Sequence, residues 1–350
     1  MPQPNLGPRN AQDNIFILSI DGGGIRGILP ARVIAEIERR TDRPAASLFH
    51  MISGTSTGGI IACGLASGHS ASDLGNLYAQ HGGEIFARSM WQRASNPAQL
   101  TGPKYQPDNL EAILRSTLGN ALLGDIRSTE ILIPTYAIQL FEEEENDGVA
   151  SSRKPMFFKS WKARSVGLAP GEKPEQFNFL LRDVARATSA APTYFPPANV
   201  TNSAGESFGV VDGGVFANNP SLCALSAASV LYPGATYTVV SLGTGSLERR
   251  IPYAEARSWG DLNWLHPILS ILMDGNADTV CYQCDQLLGG RHKRFEVTLG
   301  TDMAKDPLAV NEDFDDANPD NIARLQRLAD WLVNEKENAK LDEICRLLTQ

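Results

Sequence analysis

An α/β fold follows from three stretches of this chain. Asn14-Ile-Phe-Ile-Leu-Ser-Ile20 is a continuous apolar run of strand length, the pattern of a strand covered on both faces. It runs into Asp21-Gly22-Gly23-Gly24-Ile25-Arg26-Gly27 and then into a helix from Pro30 to Arg40 that keeps Val33, Ile34 and Ile37 on one side. A second strand, turn and helix is centred on Ser56, in Ile52-Ser53-Gly54-Thr55-Ser56-Thr57-Gly58-Gly59-Ile60.

With 350 residues and 42% hydrophobic content, the chain has enough apolar mass for one large α/β domain or two ordinary ones. Its 31 Lys plus Arg against 40 Asp plus Glu give a formal charge of −9, which excludes broad electrostatic attraction to nucleic acid or anionic lipid. Met1 to Pro8 is polar and Pro-rich, and no stretch reaches the roughly 18 to 20 apolar residues of a membrane span, so a soluble, cytoplasmic protein is expected. Cys63, Cys223, Cys281, Cys284 and Cys345 are odd in number and scattered, as reduced thiols are. Cys281 and Cys284 have C-x-x-C spacing without a second pair, and read as two helix cysteines rather than a zinc or redox site. No metal and no cofactor is expected.

Gly22, Gly24 and Gly27 formally satisfy G-x-G-x-x-G, so a dinucleotide site must be weighed. The rest of that fingerprint is weak: Asp42 and Arg43 follow the helix directly, and the next strand leads into Ser56. The physical alternative is an oxyanion pocket made of side-chain-free N–H groups near a helix N-terminus. Arg26 is then either a loop anchor or a substrate-facing charge. Around Ser56, G-x-S-x-G spacing lifts a hydroxyl onto a sharp turn, and Gly54 and Gly58 leave the turn unobstructed.

Further along, helices are expected from Ile60 to Ala66, Asp73 to Gln80 and Asp108 to Leu118. Phe86 to Gln106 reads as a loop, with Met90 and Trp91 either anchoring it or meeting a lipid interface. Glu130 to Leu140 is a strand whose Pro134 demands an edge or a bulge. Glu142 to Glu145 is a solvated acidic run. Met156 to Trp161 resumes strand character, and Leu180 to Ser189 is a helix ending in the proline wall Ala190 to Pro197. Gly209-Val-Val-Asp212-Gly213-Gly214 places a carboxylate on a glycine turn; beside a serine elbow and an oxyanion loop, Asp212 is the leading base. A helix from Asn218 to Leu231 and a strand from Tyr237 to Leu242 follow. Helices are then expected over Leu262 to Met273, Asp278 to Leu288, Asn321 to Val333 and Ala339 to Leu348, with a strand-like Arg294 to Leu299. Trp259, Trp264 and Leu265 read as core packing, with an interface patch as the alternative.

With Asp21-Gly-Gly-Gly-Ile-Arg-Gly27, Gly54-Thr-Ser-Thr-Gly-Gly59, Ala187-Thr-Ser-Ala-Ala-Pro-Thr-Tyr-Phe-Pro-Pro197 and Asp212-Gly-Gly214 in this order, the sequence resembles the patatin-like phospholipase family, in its bacterial type. The likeness runs from about Asn14 to Gly245 and more loosely to near Asp316. It implies a three-layer α/β/α patatin-like (FabD/lysophospholipase-like) fold with a central, mostly parallel sheet. It divides the chain into a flexible segment 1–13, a catalytic domain 14–316 and a C-terminal helical extension 317–350 packed on the same domain. It also implies a Ser56–Asp212 dyad without histidine, an oxyanion loop of Gly22, Gly23 and Gly24, and Arg26 in the family's basic position.

The function implied is hydrolysis of carboxylic esters in membrane glycerophospholipids, approached peripherally, with homo-oligomerisation left open and no nucleic-acid polymer as partner. Ser56, Asp212 and His266 or His292 would match a rival triad, but His266 precedes Pro267 and His292 sits in Arg291-His-Lys-Arg294, where an imidazolium is disfavoured. Some bacterial patatin-like proteins are anti-phage effectors switched on by cyclic oligonucleotides, which makes such an activator the alternative partner, with the Arg291 to Arg294 cluster as its support. A third reading, a non-enzymatic nucleotide-binding or storage protein, requires Ser56 and Asp212 to be bystanders.

Overall fold

The computed structural model describes residues 14–87, 102–141, 153–247, 251–300 and 306–350. The 1–13 segment, the Met90 and Trp91 loop and the Glu142 to Glu145 run lie outside the described residues, as do the side chains of Leu265 and His266.

Strand β1 (Asn14–Ile20) shows why its apolar run is unbroken: Phe16, Leu18 and Ile20 enter a large core on one face, and Ile15 and Ile17 a smaller core on the other. The same alternation separates Ile52 from Met51 in β2 (Met51–Gly54), and Ile131 and Ile133 from Leu132 in β3 (Glu130–Phe141). Helices close both faces, giving three layers. On the large side lie α1 (Ile28–Thr41), α2 (Thr57–Ala66), α3 (Ala71–Ile85), α4 (Asp108–Leu118) and α5 (Leu181–Thr188); on the small side α6 (Ser221–Leu231) buries Ala224, Leu225 and Ala228.

The remaining strands of the sheet are β4 (Lys154–Lys159), β5 (Ala198–Thr201), β6 (Ser207–Asp212), β7 (Thr236–Leu242) and, after the short β8 (Ser246–Leu247), β9 (His292–Phe295). The order is β5-β6-β3-β2-β1-β7-β9, with β4 also on β3. Parallel pairing joins β3, β2, β1, β7 and β9, whereas β4 and β6 run antiparallel to β3, so the sheet is mixed. A separate pair is formed by β8 and β10 (Thr298–Leu299).

Pro134 is where one edge of β3 passes from parallel to antiparallel pairing. Leu132 pairs with Ser53 of β2 and with Lys159 of β4; Thr135 pairs with Asp212 of β6 and with Met156 of β4. Strands β2 and β6 therefore share one edge of β3, end to end, and both point their C-termini at the gap beside Ile133 and Pro134. A residue without an N–H suits a position where one ladder stops and another begins. The expected bulge appears further on, between Ala137 and Gln139.

Two expectations fail. The two helices predicted over 262–288 are one, α7 (Asp261–Leu288), which keeps Pro267 inside it. Its middle is held by tertiary contacts: the Asn276 side chain donates to the Phe216 carbonyl (2.8 Å) and accepts from the Asn219 N–H (3.2 Å), offsetting the weak helix propensity of Gly275. Trp259 and Trp264 are not core residues. Both are half-buried and pack edge to face on each other, 5.2 Å between centroids. Strand β5, which no sequence pattern announced, is four residues long and alternates buried with exposed.

The C-terminal helices α8 (Pro319–Trp331) and α9 (Asn338–Leu348) fasten to α1 through charge. Glu36 is buried among Arg39 (2.5 Å), Arg40 (2.8 Å) and Arg32 (3.1 Å), whose hydrogen bonds, led by that of Arg39, hold its carboxyl down at about 2. Arg32 reaches on to Asp330 (2.8 Å) and Arg40 to Asp342 (2.7 Å).

Candidate active site

The gap beside Pro134 brings together the end of β2, which carries Ser56, and the end of β6, which carries Asp212. Ser56 has φ 54° and ψ −121°, a conformation that L-residues rarely adopt and that costs on the order of 1–3 kcal/mol. What holds it is close packing. A Cβ on Gly54 would sit 2.0 Å from the Gly58 carbonyl oxygen, so the turn closes only with glycine there. The Ser56 N–H donates to Thr188 Oγ1 (3.0 Å), whose hydroxyl in turn donates to the Pro134 carbonyl (2.7 Å). Ser56 thus stands at the N-terminus of α2, where the helix dipole favours negative charge.

Asp212 is 3% exposed. Its own N–H donates to the Ala190 carbonyl (3.0 Å), which ties it to the end of α5 and the proline wall, and its Oδ1 accepts from the Gly214 N–H (2.7 Å). Burial pushes the carboxyl up to about 7; the Gly214 N–H, the Ser56 hydroxyl and the more distant Arg186 guanidinium pull against that rise without cancelling it. A carboxylate titrating near neutrality beside a hydroxyl can accept that hydroxyl's proton.

The glycine loop forms the facing wall. Gly22 spends its N–H on the Asn218 carbonyl (3.1 Å) and its own carbonyl accepts from Thr244 Oγ1 (2.7 Å), so it is not placed as an oxyanion donor. Gly23 and Gly24 line the cleft with Ser56, and among the described residues no acceptor takes their N–H groups. Gly24 has φ 58°, and a Cβ there would lie 1.9 Å from the Phe314 carbonyl oxygen, which also accepts from the Ile25 N–H (2.8 Å). The cleft is otherwise apolar, with Ile60, Tyr78, Ile85, Phe86, Leu110 and Phe195 beyond the serine.

Arg26 lies on the far side of the loop, 5% exposed, with Nε 3.4 Å from the Gly23 carbonyl and Nη1 3.4 Å from that of Gly245. It lines a second, polar cleft with Asp21, Asp274, Arg294 and Glu296, and burial lowers its affinity for the proton. Of its two sequence-level roles the geometry fits the loop anchor. Asp21 pairs with Arg294 (2.6 Å).

His292 bonds Asp285 (2.7 Å) and does not line the serine cleft. Burial lowers its pKa, although Asp285 opposes this. The basic cluster is engaged internally: Lys293 with Glu343 (2.7 Å), Arg294 with Asp21, and Arg291 with the Tyr237 carbonyl (3.4 Å). Cys281 and Cys284 sit one turn apart on α7, where the Asn219 side chain donates to Cys281 Sγ (3.4 Å). Sequence reasoning missed Thr188, which braces the elbow, and Phe314, which seats Gly24. Thr188 lies in the Ala187 to Pro197 motif and its place there was the available signal; Phe314 had none.

The profile of the patatin-like phospholipase family matches residues 18–225. The rice (Oryza sativa subsp. indica) "Patatin-like protein 2" is 32% identical over 308 residues, spanning 76% of this chain and 71% of that protein. "Patatin-like protein 4" of Arabidopsis thaliana is 30% identical over 360 residues, spanning 91% and 83%. Among solved structures, human GIVD cytosolic phospholipase A2 aligns over 96% of this chain and 60% of its own, with 12% identity and a TM-score of 0.44.

Proposed function

The chain belongs to the patatin-like phospholipase family, and on that premise we propose that it hydrolyses the carboxylic esters of membrane glycerophospholipids with Ser56 as nucleophile and Asp212 as base. The observation that carries this reading is Asp212: a buried carboxyl raised to about 7 by desolvation, lining one cleft with the hydroxyl of a strained serine turn that pulls against the rise. Asp212 takes the Ser56 proton as Oγ attacks the ester carbonyl. The tetrahedral oxyanion faces the N–H groups of Gly23 and Gly24, donors typically worth about 3 to 4 kcal/mol each in the transition state. Asp212 then returns the proton to the departing lysolipid oxygen. Water attacks the acyl-serine, giving up a proton to Asp212, which passes it to the departing Ser56 Oγ as the fatty acid leaves. The acyl chain lies along Ile60, Phe86, Leu110 and Phe195.

Among the described residues no helix is long and apolar enough to cross a membrane. The test is covalent labelling with a fluorophosphonate probe together with fatty-acid release from phosphatidylcholine vesicles. Both are expected in the wild type and absent in Ser56→Ala; release that persists in Ser56→Ala refutes the reading. Adding cyclic di- and trinucleotides to the same assay tests the nucleotide-gated alternative, which fails if the rate does not move.

A further inference from the structure

Helix α7 contributes to the wall of the cleft, and its first half is apolar in two directions at once. Leu269 and Met273 line the serine cleft. Ile268, Ile271 and Leu272 stand in solvent at 48%, 43% and 51% exposure. At about 100° per residue these five side chains occupy one continuous arc, running from Ile271 through Ile268 and Leu272 to Leu269 and Met273. The rest of the circumference belongs to Ser270, Asp274, Ala277 and Asp278, which line the polar cleft behind the glycine loop. The helix therefore has a side that lines the polar cleft, an apolar side that forms the wall of the acyl cleft, and an apolar side about half exposed. Tyr253, before the helix, is 81% exposed, and Trp259, before it, and Trp264, in its first turn, are half-buried against each other.

We propose that the outer face of α7 formed by Ile268, Ile271 and Leu272 is the surface on which this protein seats into a lipid interface, so that an acyl chain passes from the membrane along α7 to Ser56. The proposal rests on the hydrolase reading for its substrate, and the occupant is fixed by two observations. First, the exposed arc adjoins the cleft wall on the helical wheel, so Ile268 and Leu272 lead to Leu269 and Met273 over apolar side chains. Second, the chain carries a net charge of −9, so attraction to a membrane has to come from apolar burial rather than from lysines and arginines meeting anionic headgroups. Three partly exposed aliphatic side chains in register on one helix are a costly feature to leave in water, and a lipid boundary removes that cost.

The test separates surface from chemistry. Vesicle sedimentation is measured with Ser56→Ala, alone and combined with Ile268→Gln, Ile271→Gln and Leu272→Gln; turnover is measured with the triple Gln variant on phosphatidylcholine vesicles and on a water-soluble short-chain p-nitrophenyl ester. Partition and vesicle turnover are expected to fall about 30-fold or more, because the apolar contacts that drive interfacial binding are gone, while soluble-ester turnover stays within about twofold. Wild-type partition should not change between about 0.05 and 0.5 M salt, the range over which electrostatic binding weakens strongly. Ile268→Trp should bind vesicles at least as well, with its emission shifted to the blue and quenched by brominated lipid.

Unchanged partition in the triple variant overturns the proposal, as does an Ile268→Trp emission that vesicles leave unmoved. So does equal loss on vesicle and soluble ester, which would mean that α7 merely shapes the cleft, or a change from oligomer to monomer in the triple variant, which would make the face a contact between copies. If the wild type hydrolyses neither ester, the hydrolase reading fails, and the sedimentation result still decides the surface.

Discussion

Asp21 and Asp212 stand at the C-terminal ends of two strands of one sheet, on opposite sides of the glycine loop, 2% and 3% exposed. Burial pushes both carboxyls up, to about 6 and about 7. Their neighbours make them different. Asp21 has a guanidinium at 2.6 Å, with Glu296 on the same arginine, and its cleft is full of charge. Asp212 has a hydroxyl and one N–H, in a cleft that is nearly all apolar. A carboxylate whose partner is a fixed cation is an anchor; one whose partner is a hydroxyl is free to exchange a proton.

The strongest way to break this contrast is to neutralise each carboxyl in turn. Asp212→Asn is expected to lower turnover on a soluble ester by about 10⁴-fold while leaving the denaturation midpoint near wild type. Asp21→Asn is expected to leave turnover within about tenfold, because it breaks the pair with Arg294 and leaves the Ser56 and Asp212 groups in place. Equal catalytic losses would erase the distinction between base and anchor.

A finer test uses pH. Asp212 must be ionised to accept a proton, so kcat/KM should rise as pH climbs through about 7 and level off above it. Arg186 is a buried cation, bonded to Glu111 (3.1 Å) and the Pro196 carbonyl (2.9 Å), that favours the ionised form of Asp212. In Arg186→Met the rising limb should move to higher pH, lowering kcat/KM at pH 7 by about threefold. The limb's midpoint is independent of how much enzyme is folded, so a limb that stays put counts against the coupling.

Stability against acid gives the next contrast, with a carboxyl surrounded by cations. Glu36 is held at about 2, below its unfolded value, so its contribution is complete above about 4.5 and is lost as pH falls from there towards 2. Glu36→Gln should cost about 2 kcal/mol at pH 7 and almost nothing near pH 2, measured by urea unfolding at the two pH values. The smallest effect is expected at His292, whose partner is Asp285 and whose ring lies away from the cleft. Its replacement by Gln should leave turnover within about twofold, and a large loss in folded protein would reinstate a histidine triad.

Much of the site was legible because its causes are local. Gly54 is glycine because the turn closes on the Gly58 carbonyl, and Gly24 because its φ is 58°; both stand as glycines of a motif in the sequence itself. Gly22 was not separable from Gly23 and Gly24 in the sequence, since what removes its N–H is the carbonyl of Asn218, far along the chain. Arg26 was equally open, and only the position of Gly245 turned it to the anchor's side of the loop.

The sequence by itself determined the alternation of strand, glycine turn and helix, the two-faced burial of β1, the serine elbow and the carboxylate on its glycine turn. These follow from apolar periodicity and backbone sterics, which act over a few residues. The tertiary structure alone decided that α7 is one helix with an apolar face left in solvent, that β2 and β6 converge at Pro134, and which aspartate is paired. Desolvation and ion pairing depend on groups brought together from anywhere in the chain, and Arg294 reaches Asp21 across 273 positions of sequence.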